Sequence, residues 1–276
     1  MKTLHRCIAF IALTLTAASA LAQTQAQIQA QKAQAQASQA QAQADRAQAQ
    51  AAQAQAQRLA QAPASEGRLY APGAFDRLEV DGSALIQLTQ GERDQVFISG
   101  DADVQNAVEV ELSNRRLRIS PAGGWKFWNT GRMKIEVQMR QPSRLTLSGA
   151  SDLRASGPIR AEQLAISISG AGWARFDDLR VDQLRFDISG AGDGQLAGKV
   201  DELRLNISGK GKLAAEQLRT ENAVVSISGV GNAALWVTDN LHVSISVVGT
   251  VDYWGQPEVK RSTSGLGSVN SRGEKH

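Results

Sequence analysis

From residue 143 onward, apolar and polar residues alternate in a unit that keeps returning. The segments Leu145-Thr-Leu-Ser-Gly149, Ile166-Ser-Ile-Ser-Gly170, Phe186-Asp-Ile-Ser-Gly190, Leu205-Asn-Ile-Ser-Gly209 and Val225-Ser-Ile-Ser-Gly229 share one pattern. Val243-Ser-Ile-Ser-Val247 is a variant copy and Ser264-Gly-Leu-Gly267 a partial last one, with successive steps of 21, 20, 19, 20, 18 and 18 residues. Apolar residues at i and i+2 with polar ones between describe a strand with one buried face. Leu145, Ile166, Phe186, Leu205, Val225 and Val243 make one apolar register, and Leu147, Ile168, Ile188, Ile207, Ile227 and Ile245 make the second. Ser167, Asp187, Asn206, Ser226 and Ser244 between them read as a water-facing column. Gly149, Gly170, Gly190, Gly209 and Gly229 mark corners, where either a positive φ is needed or a side chain does not fit. A second short strand follows each corner, as in Ala174 and Phe176 or Leu213 and Ala215, and Leu164, Leu184, Leu203, Ala223 and Leu241 precede the first.

Units this short cannot each close a core; stacked at about 4.8 Å per coil, they set equal positions above one another. The pattern predicts an all-β fold, a parallel β-helix or β-solenoid with coils of about 18–21 residues; a two-sheet β-sandwich is the alternative. A leucine-rich horseshoe needs a helix and a fixed Asn, and a propeller blade needs about 40 residues. Residues 68–142 read differently. Phe75, Leu78 and Val80, then Leu85 to Leu88, a turn at Gln90-Gly91-Glu92-Arg93, and Val96-Phe97-Ile98 give hairpin signals. Val108, Val110 and Leu112, the turn Ser113-Asn114-Arg115, then Leu117 and Ile119, and finally Ile135, Val137 and Met139 continue them. This antiparallel-looking lead-in forms either a sheet or irregular first coils that cap the solenoid, since an exposed edge recruits other chains.

The chain before this region is of another kind. Lys2, His5 and Arg6 precede an apolar run from Cys7 to Ala18, and Ala20-Leu21-Ala22 offers a small-residue cleavage site, so residues 1–22 read as a secretory signal peptide. The apolar run is too short to span a bilayer, and after cleavage the chain is expected not to span the membrane. Residues 23–67 form an Ala/Gln-rich spacer; across 23–62, 32 of 40 positions are Ala or Gln. Only Ile28 and Leu59 are large and apolar there, too little to offset the ordering entropy, so a helix-leaning, disordered spacer is expected. The Ala/Gln alternation resembles a coiled-coil tract in composition but has no a/d seam. The folded region is expected over 68–270, with lead-in 68–142 and repeats 143–270, and 271–276 as a disordered tail.

The folded region resembles the putative auto-transporter adhesin, head GIN domain family. The resemblance rests on Phe75-Asp-Arg-Leu-Glu-Val80 followed by Leu88-Thr-Gln-Gly91, and on the recurring Ser-Gly-Ala-Gly at 169–172 and 189–192. It rests also on Tyr253-Trp-Gly-Gln-Pro257 followed by Ser264-Gly-Leu-Gly267, and so covers about residues 70–270. It implies an exported β-helical domain of adhesin type. A true autotransporter adds a C-terminal barrel of many amphipathic strands. The sequence here runs to Gly273-Glu-Lys-His276 soon after the last repeat, so the name is not expected to describe its route of export.

Composition narrows the chemistry. A formal net charge of +3 over 276 residues gives no footprint for nucleic acid. One Cys and three His leave no disulfide scaffold and no expected metal site. His242, the only well-placed histidine, is expected to be structural or solvent-facing, and the Gly repeats lack the Gly-Lys-Ser/Thr of a phosphate loop. No catalytic residue and no cofactor is assigned. The better signal is aromatic: Trp125, Phe127 and Trp128 lie on a Gly-bounded loop, where they either stack on a ligand or cover the core's open end. Trp173 stands where other copies have Asp193, Lys212 and Asn232, so it should point outward; Tyr253 and Trp254 should close the distal end. These readings favour a non-catalytic, exported binding, scaffolding or adhesin-like protein, periplasmic or on the cell surface, with a glycan or an envelope or surface protein as partner. The alternative is a carbohydrate-active β-helix enzyme drawing on Asp177, Asp178, Asp182, Asp187, Asp193 and Asp201.

Overall fold

The computed structural model describes residues 67–99, 106–122 and 133–275. Its regular elements are strands: β1 (Gly67–Tyr70), β2 (Arg77–Val80), β3 (Ala84–Gln90), β4 (Gln95–Ser99), β5 (Val108–Ser113), β6 (Arg116–Pro121), β7 (Met133–Met139) and β8 (Arg144–Leu147). The coils proper follow as β9 (Asp152–Ile168), β10 (Trp173–Ile188), β11 (Ala191–Ile207), β12 (Lys210–Ile227) and β13 (Val230–Ile245), then β14 (Val248–Trp254), β15 (Glu258–Thr263) and β16 (Leu266–Ser271). Coils β9 to β13 pair in parallel, each with the next. This is a β-solenoid, and coil-on-coil parallel register sets the sandwich alternative aside.

The repeat puts like on like. Ile168, Ile188, Ile207, Ile227 and Ile245 occupy one column, and each is at most 1 % exposed. The coils differ in length, and the difference is taken up where each strand bends, as between Phe176 and Leu179 or between Ala215 and Arg219. The columns on either side therefore stay aligned. Two glycine columns flank the isoleucines. Gly149, Gly170, Gly190, Gly209 and Gly229 are not among the positive-φ residues. A Cβ on any of them would instead fall on the backbone carbonyl oxygen one coil earlier, Gly190 O in the case of Gly209. Of the two reasons for a corner glycine, close approach is the one that operates.

Packing also explains Gly194. Phe186 fills a column otherwise made of Leu, Ile and Val, and a Cβ on Gly194 would lie 2.6 Å from its ring and 2.8 Å from Leu213 Cδ1. The large ring is accommodated by the missing side chain. Gly194→Ala should therefore cost about 1–3 kcal/mol from overpacking, and Phe186→Leu should recover much of that loss in the double variant. Urea midpoints for the four proteins of the cycle measure this coupling.

At the first end, coil order departs from chain order. Strands β2 and β3 form a coil that lies between two later ones: β2 pairs in parallel with β6 and β8, and β3 with β7 and β9. Beyond it, β4 runs antiparallel on β7, β1 antiparallel on β4, and β5 antiparallel on β6. The lead-in is thus both of the arrangements the sequence left open: two irregular coils closed by antiparallel strands. The β5–β6 hairpin turns at Asn114 and Arg115, with φ of 50° and 60°, the pair of positive φ angles that a type I′ turn requires. Gln90 replaces missing backbone pairing by donating to the carbonyls of Arg140 and Arg160 and accepting from the Arg160 N–H.

At the far end, β14 and β15 continue the two faces of β13, and β16 pairs with β14. Tyr253 packs against the core and Trp254 lies in register with Trp236. The residues after β16 make contacts back onto the last coils as far as Lys275. Arg272 N–H donates to Tyr253 O, Gly255 N–H donates to Gly273 O, and Lys275 Nζ stands 5.2 Å and 5.9 Å from the rings of Trp236 and Trp254. Asn270 and Arg272 both donate to Asp252, and these hydrogen bonds hold its carboxyl below the usual carboxylate range.

Candidate functional site

On one lateral face the residues between buried positions stand outward in columns. Trp173 pairs with Asp152 on the coil before and with Asp193 on the coil after, and Lys212 and Asn232 continue the line. The indole is half-buried and outward, as its polar repeat partners implied. Asp152 pairs in turn with Leu85 of β3, and Leu85 with Lys134 of β7. Two residues further on, the next outward column carries Arg175, Arg154, Gln87 and Glu136.

These two columns border an open groove of about 420 Å³, lined by Leu85, Gln87, Lys134, Glu136, Asp152, Arg154 and Trp173 over a floor of Ile86 and Ile135. The Arg154 guanidinium lies over the Trp173 ring, 5.7 Å from its centroid and within cation–π range. Gln87 donates to Ser156 Oγ, 2.9 Å away. A flat apolar ring ringed by a cation, carboxylates and an amide offers stacking and hydrogen bonding to a polyhydroxylated ligand.

Trp125, Phe127 and Trp128, the other aromatic candidates, lie outside the described residues. Of the site's members, Trp173 was visible as an outlier in its column. Asp152 and Arg154 could have been found one repeat earlier. Lys134, Glu136, Leu85 and Gln87 could not, because only the out-of-order first coils bring them here.

The acidic residues considered for catalysis are spread over several coils, and most of them are engaged. Arg175 pairs with Asp177 at 2.5 Å, Arg180 with Asp178 at 3.1 Å and Arg185 with Asp187 at 2.6 Å. Asp187 also accepts from Asn206 at 2.7 Å, one coil on, as expected of an outward polar ladder. Asp193 accepts the Lys212 backbone N–H, and Asp201 with Glu221 holds the Lys199 ammonium above its ordinary pKa by hydrogen bonding. Asp182 is exposed on β10, and His242 is exposed on β13. Among the described residues, no group of three or more His, Cys, Asp or Glu is placed to hold a metal ion, and no helix is long and apolar enough to cross a membrane.

The fold has solved relatives. A putative adhesin from Bacteroides fragilis superposes with a TM-score of 0.71 at 23% identity, covering 74% of this chain and 95% of that one. A putative lipid binding protein from Parabacteroides distasonis gives 0.62 at 21% identity, covering 75% and 96%. A putative adhesin from Parabacteroides merdae gives 0.60 at 19% identity, covering 75% and 95%. At these identities the likeness is one of fold. No curated protein matches the chain. The family model for the putative auto-transporter adhesin, head GIN domain, matches residues 74–257, from the lead-in through the closing run. Repeat, capped first end and family match agree, and the chain belongs to the putative auto-transporter adhesin, head GIN domain family.

Proposed function

We propose that this chain is an exported, non-catalytic binding protein of adhesin type that holds a carbohydrate across the Trp173 groove. The observation that carries this reading is the ring itself: a half-buried tryptophan at the rim of an open groove, in a column where the equivalent positions of the neighbouring repeats are Asp152, Asp193, Lys212 and Asn232. A structural tryptophan would be expected among the buried columns, where Phe176 and Phe186 lie. Export is supported by the signal-like residues 1–22, and the Ala/Gln-rich segment would serve as a spacer that presents the solenoid at the cell envelope. The family's adhesin description supports the same class of role.

The test is glycan-array binding by the full chain and by Trp173→Ala. The variant should melt within a few degrees of the parent, because a lateral, outward side chain is being trimmed, yet bind its glycan roughly tenfold or more weakly. Unchanged glycan binding by Trp173→Ala would remove the groove from the account.

A further inference from the structure

A second face carries a feature that the net charge conceals. In one outward column β2, β8, β10 and β11 present Arg77, Arg144, Arg185 and Arg204, while β9, between β8 and β10, presents Ala165. The alanine leaves a slot in a line of long cationic side chains. Arg144 and Arg185 flank it, one coil to either side, roughly 9–10 Å apart along the stack at the usual strand spacing. These residues, together with Gln163 and Gln183 of the adjoining column, line a groove of about 530 Å³.

Its charge is uneven in a useful way. Asp76 is spent on Arg77 and Arg115, at 3.4 Å and 3.1 Å, and Glu202 stands 3.9 Å from Arg204. Arg185 is paired with Asp187 at 2.6 Å. Arg144 is exposed and, among the described residues, has no acidic partner. An unpaired guanidinium is a ready fork for a carboxylate, phosphate or sulfate.

We propose that this slot binds an acidic polysaccharide, with Arg144 and Arg185 gripping an anionic group over Ala165 and the Gln163 and Gln183 amides meeting sugar hydroxyls. The chemistry favours a sugar over a lipid surface: the leucines of the groove, Leu164 and Leu184, are buried, and the exposed Val224, one coil beyond Arg204 in the column, is a single short side chain, too little to anchor in an acyl layer. The regular rise of the coils suits a linear polymer lying along the solenoid axis. The site is distinct from the Trp173 groove and stands without it.

Polygalacturonate serves as the probe, with dextran as the neutral control and polyglutamate and phosphatidylglycerol–phosphatidylcholine vesicles as the other anionic surfaces. The full chain should bind polygalacturonate and not dextran, and binding should fall steeply with added salt. Arg144→Glu/Arg185→Glu should weaken it at least tenfold while the thermal melt is retained, since both side chains are exposed. Ala165→Trp, which fills the slot and leaves the charge alone, should weaken it as well. Lys212→Glu, a charge reversal at an exposed position outside the slot, should leave it intact, which shows that the loss is local to the slot. The proposal is overturned by absent polygalacturonate binding, by unchanged binding in both slot variants, or by equal, slot-dependent binding of polyglutamate or of the vesicles.

Discussion

Ile207→Asp should abolish folding of the solenoid. Ile207 is fully buried in the middle of the isoleucine column, with Ile188 on one side and Ile227 on the other. The change removes about 2–3 kcal/mol of apolar burial and places an unpaired carboxylate where no partner is within reach, a cost of several kcal/mol more. Against a total of about 5–15 kcal/mol for a domain, the sum is comparable to the whole stability of the fold. Coils stabilise one another through nearest-neighbour contacts, so damage at a central coil weakens both flanks. Far-ultraviolet circular dichroism with thermal melting reads the outcome. Ser208→Asp, one residue on and exposed, should stay within about 0.5 kcal/mol of the parent. A soluble Ile207→Asp protein with a cooperative β-sheet melt would show that the column is not buried as described.

The second large effect is at the corner column. Gly209→Ala should destabilise by upwards of about 3 kcal/mol, because its Cβ would meet backbone, Gly190 O and Ser189 O, rather than a side chain able to move aside. Gly157→Ala is the matched control: an added Cβ there meets nothing within 4 Å, and φ is not positive. That substitution should be neutral or stabilise by up to about 1 kcal/mol through the unfolded chain. The difference between the two urea midpoints measures the close approach of the coils. Equal midpoints would mean that the glycine column could separate without cost.

The repeats were legible because their signals are local. Alternation over five residues names the buried face, and a glycine returning every 19 to 21 residues from Gly149 to Gly229 names the corner. What alternation cannot give is strand direction. Ile135, Val137 and Met139 read as one more hairpin strand, yet β7 is parallel to β3 on one side and antiparallel to β4 on the other. The placement of β2 and β3 between later coils depends on pairings across tens of residues, which no window of sequence contains. The same limit governs the sites. Trp173 announced itself as the one large ring in a polar column, but half of its groove arrives from β3 and β7. Arg185 and Arg204 do occupy one repeat position and could have been noticed. A net charge near zero summed them away, and Arg77 joins them only through the out-of-order first coil.

Binding without turnover is the central functional claim, and Asp152 and Asp193 are where it is most exposed to contradiction. They lie one coil on either side of Trp173, roughly 9–10 Å apart along the stack, near the upper end of the carboxylate separations used by inverting glycosidases. The decisive measurement incubates the full chain with the glycans it retains and assays retention and newly formed reducing ends in the same reaction. The account predicts retention that depends on Trp173, with reducing ends at the level of a protein-free control. Reducing ends that accumulate with time and disappear in Asp152→Ala or Asp193→Ala would contradict it and make the groove an active site.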